Sequence, residues 1–461
     1  MSTAECDLAI VGSGGGAFSA AIAARERDLR VVMIERGTVG GTCVNVGCIP
    51  SKALLAAAET RHRAGAQSFP GIGTEAGPVD MAALVAGKDE IVEQLRREKY
   101  SDLADAYGIE LVHGDAHFAA GPALEVDGRR IEASHFLVAT GSTPWVPEVS
   151  GLADSGYLTS TTAMELDAVP SGLIVLGGGY VALEQAQLFA HLGTAVTIVA
   201  RSSIARREEP EIADALRDAL TADGIRILEQ CESRGVRRDE AGVTVATDAG
   251  ELTAEHLLVA TGRRAQTEAL GLEAVGVRVG ADGELLVDGH LRTSNPRVWG
   301  AGDVTGHPQF VYVAARHGRT VVDNAFSGSA HSVDYTSLPR ITFTNPTIAS
   351  AGLTEAEAQA LGLLTDSRVL ELSAVPRAIV SRATRGLVKL VAEQGTGRIL
   401  GVHLLADGAG DAILAGVYAI SAGMTVTQLA DSWNPYLTIG EAVHLAAQAF
   451  TRDPATLSCC A

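Results

Sequence analysis

The stretch DLAIVGSGGGAFSAAIAARERDLRVVMIE, residues 7–35, runs from an apolar strand into a glycine turn, an alanine-rich helix and a second strand that ends in an acid. That order is the βαβ unit of a dinucleotide-binding fold. Gly12 permits the tight turn, Gly14 lets the backbone approach a pyrophosphate at the helix N-terminus, and Ala17 allows the helix to pack closely on the strand. Glu35, closing the second strand, is placed to accept hydrogen bonds from an adenosine ribose.

A second copy follows at residues 173–201, LIVLGGGYVALEQAQLFAHLGTAVTIVAR, with Gly177, Gly179 and Ala182 at the same spacing. Its second strand ends in Arg201 rather than an acid, and Arg206 and Arg207 come next. A carboxylate there would repel a 2′-phosphate, whereas guanidinium groups bind one bidentately, so this copy is expected to take NADPH. A solvated basic loop is the other reading of these arginines. FLVATGSTP at 136–144 and LLVATGRRA at 257–265 each close one unit, and PRVWGAGD at 296–303 adds a strand followed by Gly300, Gly302 and Asp303.

The fold class expected is therefore α/β, with two Rossmann-like domains and a C-terminal α+β domain. FAD binding is assigned to residues 1–145 and 264–335, NADPH binding to 146–263, and the last domain to 336–461. Two such units give a flavin and a nicotinamide one site each, as hydride transfer between them requires.

Composition agrees with this. The 461 residues are 47% hydrophobic with 51 glycines and 4% aromatics, the profile of an Ala/Val/Gly-rich α/β enzyme. A net charge of −19 argues against nucleic acid or an anionic membrane as partner. The N-terminus lacks a basic n-region, and no apolar run reaches the ~18 residues of a membrane span. The expectation is a cytoplasmic enzyme, in whose reducing surroundings paired cysteines are catalytic or metal-binding.

One such pair lies in RGTVGGTCVNVGCIPSK, residues 36–52. Cys43 and Cys48 sit in a glycine-rich stretch leading into a helix that Pro50 helps begin. A helix N-terminus lowers a thiol's pKa, and thiolate is the form that attacks, binds soft metal or donates charge to a flavin. A zinc half-site or an inert buried pair are the alternatives. GGTCVNVGCIPSK, the two βαβ units, the two ATG motifs and GAGD together resemble the flavoprotein disulfide reductases along essentially the whole chain.

That resemblance implies a homodimer with FAD and a redox-active disulfide, the last domain carrying the subunit interface. By position, Cys43 would be the interchange thiol and Cys48 the charge-transfer thiol beside the flavin. Lys52 would approach the flavin N5 region, paired with Glu184, and Asp303 would bind the ribityl side. Thr42, Thr140 and Gly141 would also contact FAD. Gly262 and Arg263 would lie along the NADPH phosphates, and Tyr180 would cover the nicotinamide pocket, although packing is an equal reading of that residue alone.

Dithiol-exchanging members carry His-Pro-Thr-x-x-Glu near the C-terminus, because a general acid–base protonates the leaving thiolate. Aligned on Glu441, this chain has Tyr436 at the histidine position. A phenol with a pKa near 10 is a poor proton shuttle at neutral pH. His444 reads as a packed or surface histidine. The chain ends LSCCA, and adjacent Cα atoms about 3.8 Å apart leave Cys459 and Cys460 closer than the usual ~4.4–6.8 Å of a disulfide. They are better seen as two thiolates on a chain end, suited to capturing a soft cation.

CVNVGC, SNPRVWGAGDVTGHPQFVYVAA, PYLT and LSCCA together are similar to the mercury(II)-reducing branch of that family. The resemblance implies that Cys459 and Cys460 of one subunit pass Hg(II) to Cys43 and Cys48 of the other, where it is reduced to Hg(0). Tyr180 and Tyr436 would line the inner site. Some members of the branch begin with a small metal-carrying domain, GMTCxxC, whereas this sequence begins at its first Rossmann strand. Two rivals stay open: a thioredoxin-reductase-like relay through the C-terminal cysteines, which still needs the missing histidine, and a non-catalytic metal-binding flavoprotein. Cys6 and Cys231 read as packing residues.

Overall fold

The computed structural model describes residues 5–121 and 123–452. The chain divides into two compact units, one of Met1–Ala53, Ala82–Trp145 and Gly262–Val333, the other of Leu54–Met81, Val146–Thr261 and Asp334–Ala461.

The first unit is built on a five-stranded parallel sheet. Its order is Val298–Gly300, Ala133–Val138, Cys6–Val11, Val31–Glu35 and Glu110–His113. A parallel sheet is covered on both faces, which explains why DLAIV and VVMIE are continuous rather than alternating apolar runs. Leu8, Ala9, Ile10, Phe136, Leu137 and Val138 are all fully buried. The helix Gly15–Arg25 crosses Val311–Phe326 on one face, so closely that a β-carbon on Gly318 would stand 2.1 Å from the Gly16 carbonyl oxygen.

The second unit repeats the device in a four-stranded parallel sheet ordered Arg226–Leu228, Ala195–Val199, Gly172–Leu176 and His256–Val259. The helix Tyr180–Leu192 follows its glycine turn. In both sheets the order reverses beside the first strand, between Cys6–Val11 and Ala133–Val138 and between Gly172–Leu176 and His256–Val259. The crevice beyond the carboxyl ends at such a reversal is where doubly wound sheets bind ligands.

The second unit also holds a five-stranded antiparallel sheet, ordered Pro339–Thr342, Thr347–Gly352, Ile399–Ala406, Leu387–Glu393 and Thr365–Glu371. The helices Ala409–Ser421 and Gly440–Gln448 share its core through Ile413, Ala419, Ala442, Val443 and Ala446. The architecture is thus the α/β class with two Rossmann-like sheets and an α+β region. No helix among the described residues is long and apolar enough to cross a membrane.

One polar cluster is buried in this unit. Lys389, on the strand Leu387–Glu393, has a side chain only 3% exposed, and its Nζ lies 3.0 Å from Glu209, 2.9 Å from Glu211 and 3.1 Å from Glu355. Burial alone would depress the ammonium pKa, but the three carboxylates outweigh it and hold the group charged.

Candidate active site

The glycine turn of the first unit has the shape its sequence demands. Gly12 has φ +104, and a β-carbon there would lie 2.4 Å from the Ala139 carbonyl oxygen. Gly14 N-caps the helix Gly15–Arg25 with no side chain over its first N–H groups. Such a cradle fits the pyrophosphate of a dinucleotide. Ala17, within that helix, is fully buried. Glu35 is fixed by two donors: Ser13 Oγ donates to Oε2 at 2.6 Å and the Gly37 N–H donates to Oε1 at 2.7 Å.

The cysteine segment is pinned to that turn. Gly40 N–H donates to Ser13 Oγ at 3.1 Å, and Gly41, with φ +68, presses on Gly14 so that a β-carbon would stand 2.6 Å from the Gly14 Cα. The short helix Gly41–Asn45 then carries Thr42 and Cys43, and Cys48 is the first residue of the helix Cys48–Gly65. Asn45 Nδ2 donates to the carbonyls of Val39 and Gly41, both at 3.0 Å, and locks the connection. Nothing in the sequence singled out Asn45 beyond its place between the two cysteines.

Cys43 and Cys48 are half-buried and not joined in a disulfide. A hydrogen bond with Cys48, then burial, then the charge Cys48 carries when ionised push the Cys43 thiol well above the ordinary range, with Lys52 pulling the other way. Cys43 is therefore the thiol that gives up its proton reluctantly. The sequence reading missed Tyr100, a half-buried residue on the π-helical turn Arg97–Ser101. Its phenol pKa is raised by burial and then by the charges of Cys43 and Cys48, and its ring meets Phe18 edge-on at 4.9 Å. A single π turn inside a helix frequently marks a functional position.

On the other side of the same crevice, Thr140 Oγ1 donates to the Gln266 carbonyl at 2.6 Å, and Gly141 takes φ +72. Ser142 Oγ donates to Asp303 Oδ2 at 2.7 Å. Arg263 donates through Nε to Ser142 Oγ and through Nη2 to the Ser142 carbonyl, both at 2.7 Å. In this structure Arg263 therefore braces the Ser142–Asp303 pair of the first unit. Gly262, with φ +147, precedes it.

In the second unit Gly177 has φ +132, and a β-carbon would stand 2.3 Å from the Ala260 carbonyl oxygen. Gly179 N-caps the helix Tyr180–Leu192, and nothing lies within 4 Å of where its β-carbon would be. Ala182 is fully buried. Tyr180, the first helical residue, is exposed, whereas Glu184 one turn on is buried and accepts from the Phe343 N–H at 2.9 Å. Arg201, Arg206 and Arg207 are all exposed on the loop after Ala195–Val199. Glu229 anchors that loop, accepting from the Ile204 N–H at 2.7 Å and from Arg217 Nε at 2.8 Å.

Tyr436 is about half exposed, and Leu437 beside it takes φ +59 while its N–H donates to Glu441 Oε2 at 3.2 Å. Burial raises the Glu441 pKa, against the pull of the Leu437 N–H and His444. His444 Nδ1 is buried without a hydrogen-bond partner among the described residues. Cys6 and Cys231 are buried, and burial first of all pushes the Cys6 thiol up to about 12, an unreactive state. Cys459 and Cys460 lie outside the described residues.

Comparison with known proteins places the chain. The sequence profile described as "Pyridine nucleotide-disulphide oxidoreductase" matches residues 6–318, and the dimerisation domain of the same family matches 338–447. A mercuric reductase of Streptomyces lividans is 58% identical over 99% of this chain and 98% of its own length. One from Lysinibacillus sphaericus is 46% identical over 99% of this chain and 84% of its own. Among solved structures, the HOCl-induced flavoprotein disulfide reductase RclA from Escherichia coli superposes with a TM-score of 0.88 at 29% identity, covering 97% of this chain and 100% of that one. The chain belongs to the pyridine nucleotide-disulphide oxidoreductase family.

Proposed function

We propose that this protein is an NADPH-dependent, FAD-containing reductase that converts Hg(II) to Hg(0), working as a homodimer in the cytoplasm. The observation that carries the reading is the Cys43–Cys48 dithiol, held on the first glycine turn by Ser13 and Gly41 in a chain 58% identical from end to end to a mercuric reductase. FAD fits the cradle of Gly12, Gly14 and Gly41, with Glu35 toward the ribose, Thr42, Thr140, Gly141 and Asp303 along its length, and residues 1–145 and 264–335 as its domain. NADPH fits the turn of Gly177 and Gly179 in residues 146–263, with Arg201 and Arg207 toward the 2′-phosphate and Tyr180 covering the nicotinamide. Residues 336–461 form the subunit interface.

When bound in the cradle of Gly12, Gly14 and Gly41, FAD would supply two-electron transfer from NADPH toward the metal. The protein's own contribution begins with the thiols. The two cysteine sulfurs select a soft two-electron acceptor, and a thiol that still carries its proton releases it as its mercury–sulfur bond forms. The half-buried site excludes competing ligands, and Lys52 offsets the charge of the thiolates. Reduction of Hg(II) by two electrons breaks both mercury–sulfur bonds and frees the metal as Hg(0). NADPH leaves as NADP⁺, and its hydride proton is released. No thiol leaving group awaits a proton, so Tyr436 in place of a histidine is chemically consistent. Cys459 and Cys460 deliver Hg(II) to Cys43 and Cys48 of the partner subunit.

The test is NADPH oxidation with excess thiol present, with and without Hg(II). Strong dependence on Hg(II) is expected. No stimulation by Hg(II), together with rapid turnover of a disulfide, would overturn the reading in favour of a dithiol relay.

A further inference from the structure

We propose that His62, His191 and Asp223 form a second, cysteine-free metal site that takes a borderline divalent cation of the zinc, cobalt, nickel and copper class. One ligand atom from each lies within 4.8 Å of the other two. His191 Nε2 is 3.1 Å from Asp223 Oδ2, and His62 Nε2 is 3.8 Å from Oδ1. The two imidazoles stack with centroids 3.9 Å apart and planes 15° apart, so both present Nε2 to one carboxylate. Three ligands at about 2.0–2.2 Å from a shared ion need only a small inward rotation of such side chains.

The surroundings favour a cation. His191 stands in the last turn of Tyr180–Leu192, and Asp223 is the C-cap of Pro210–Ala222, so two helix C-termini bring their partial negative charge to the same place. A carboxylate at a helix C-terminus is otherwise an unfavourable placement. No Lys or Arg among the described residues pairs with Asp223. At His62 the opposing charges of Arg385 and Glu59 act against one another.

Metal binding also needs deprotonated imidazoles and an oriented carboxylate. Burial, followed by the neighbouring His191, lowers the His62 pKa and keeps that ring neutral at neutral pH. Gln187 Nε2 donates to Asp223 Oδ2 at 2.8 Å, and Gln187 is itself held by Asn345, whose N–H donates to Gln187 Oε1 at 2.7 Å. The His191 and Asp223 side chains are 4% and 7% exposed but His62 is 28% exposed, which leaves a solvent side for a fourth, water ligand. An N₂O donor set prefers borderline cations to soft Hg(II), so the site does not compete with the cysteines for substrate.

The decisive experiment uses the FAD-loaded dimer with Cys43, Cys48, Cys459 and Cys460 changed to Ser, so that no reactive thiolate binds metal. Equilibrium dialysis against Zn(II) is expected to give one ion per chain. Cu(II) in its place should show electron paramagnetic resonance splitting from two imidazole nitrogens. His62→Ala, His191→Ala and Asp223→Asn should each weaken Zn(II) binding at least tenfold, and Gln187→Leu by about tenfold, as losses around a metal site do. Absence of bound Zn(II), or binding unchanged by His62→Ala, would overturn the proposal. His62→Ala alters the most exposed of the three residues, so an unchanged flavin spectrum and circular dichroism in that variant separate loss of metal from loss of fold.

Discussion

The carbonyl oxygen of Ala139 stands 2.4 Å from the position a β-carbon would take on Gly12, and Ala260 stands 2.3 Å from the same position on Gly177. The alanine of each ATG motif therefore closes on the first glycine of its own dinucleotide turn. In each case it is also tied to the central strand, Ala139 N–H to the Val11 carbonyl and Ala260 N–H to Leu176, both at 2.9 Å. Backbone meeting backbone leaves no flexible side chain to yield. Gly12→Ala should abolish FAD incorporation, read as the flavin-to-protein absorbance ratio. Gly177→Ala should leave the flavin bound and raise the KM for NADPH at least tenfold; a full flavin complement in Gly12→Ala would refute the first half.

Cys43 should ionise later than an ordinary thiol. Cys43 holds its proton far above the ordinary thiol range because of Cys48 and burial. The ultraviolet thiolate absorbance lost in Cys43→Ser, Cys48→Ser relative to wild type should correspond to fewer than two thiolates per chain at about pH 9, where two ordinary thiols would be largely ionised. The sign for stability follows. A group whose pKa is raised on folding contributes fully below the unfolded thiol pKa of about 8.5, and that contribution declines as pH rises beyond it. Tyr100→Phe, which alters a ring that senses both thiols, should change the rate of alkylation of the pair severalfold without changing flavin content.

Lys389→Ala leaves the buried Glu209 carboxylate without its cation. Breaking a buried pair in this way costs about 3–5 kcal/mol, and urea unfolding should show it. Replacing Lys389 and Glu209 together with Met and Leu should cost less than Lys389→Ala alone, since no uncompensated charge remains at Glu209. A larger loss in the double variant would mean that Glu211 and Glu355 dominate the cluster.

These outcomes bear on what the sequence made legible. The glycine turns, the acid at Glu35 and the α/β class follow from local spacing, because strand, turn and helix are adjacent in the chain. The packing of Ala139 on Gly12 comes from strands more than a hundred residues apart, so the ATG motif announced itself without its reason. Tyr100 belongs to no motif, and Asn45 sits inside CVNVGC with no role the string announces; they matter because of where a π turn and a short helix put them. His62, His191 and Asp223 arrive from three separate segments and have no spacing a linear reading detects. Arg263 is marked by its place after the second ATG, but its bonds to Ser142, more than a hundred residues earlier, have no local spacing to announce them.

Tyr436→His would restore the residue of dithiol-exchanging relatives five positions before the Leu437 partner, Glu441, whose carboxyl burial keeps it more readily protonated than usual. An imidazole titrating near neutral pH supplies the acid–base a phenol cannot. The variant should gain measurable NADPH-dependent turnover of a small disulfide while losing at least part of its Hg(II)-dependent rate. Unchanged activity toward both substrates would remove Tyr436 from the site.

The last contrast is between the two strand ends. Glu35 is held by Ser13 and Gly37 and so presents a fixed carboxylate to a ribose. Arg201 and Arg207 lie exposed on a loop that Glu229 and Arg217 anchor. Each charged hydrogen bond to a 2′-phosphate contributes about 1.5–3 kcal/mol, roughly 10- to 150-fold in binding. Arg201→Ala and Arg207→Ala should therefore lower kcat/KM for NADPH by at least tenfold each and leave that for NADH nearly unchanged. Glu229→Gln, which loosens the loop without touching the nucleotide, should show a smaller loss in the same direction. Equal losses with both nucleotides would mean that the arginines support the fold of the loop and do not read the phosphate.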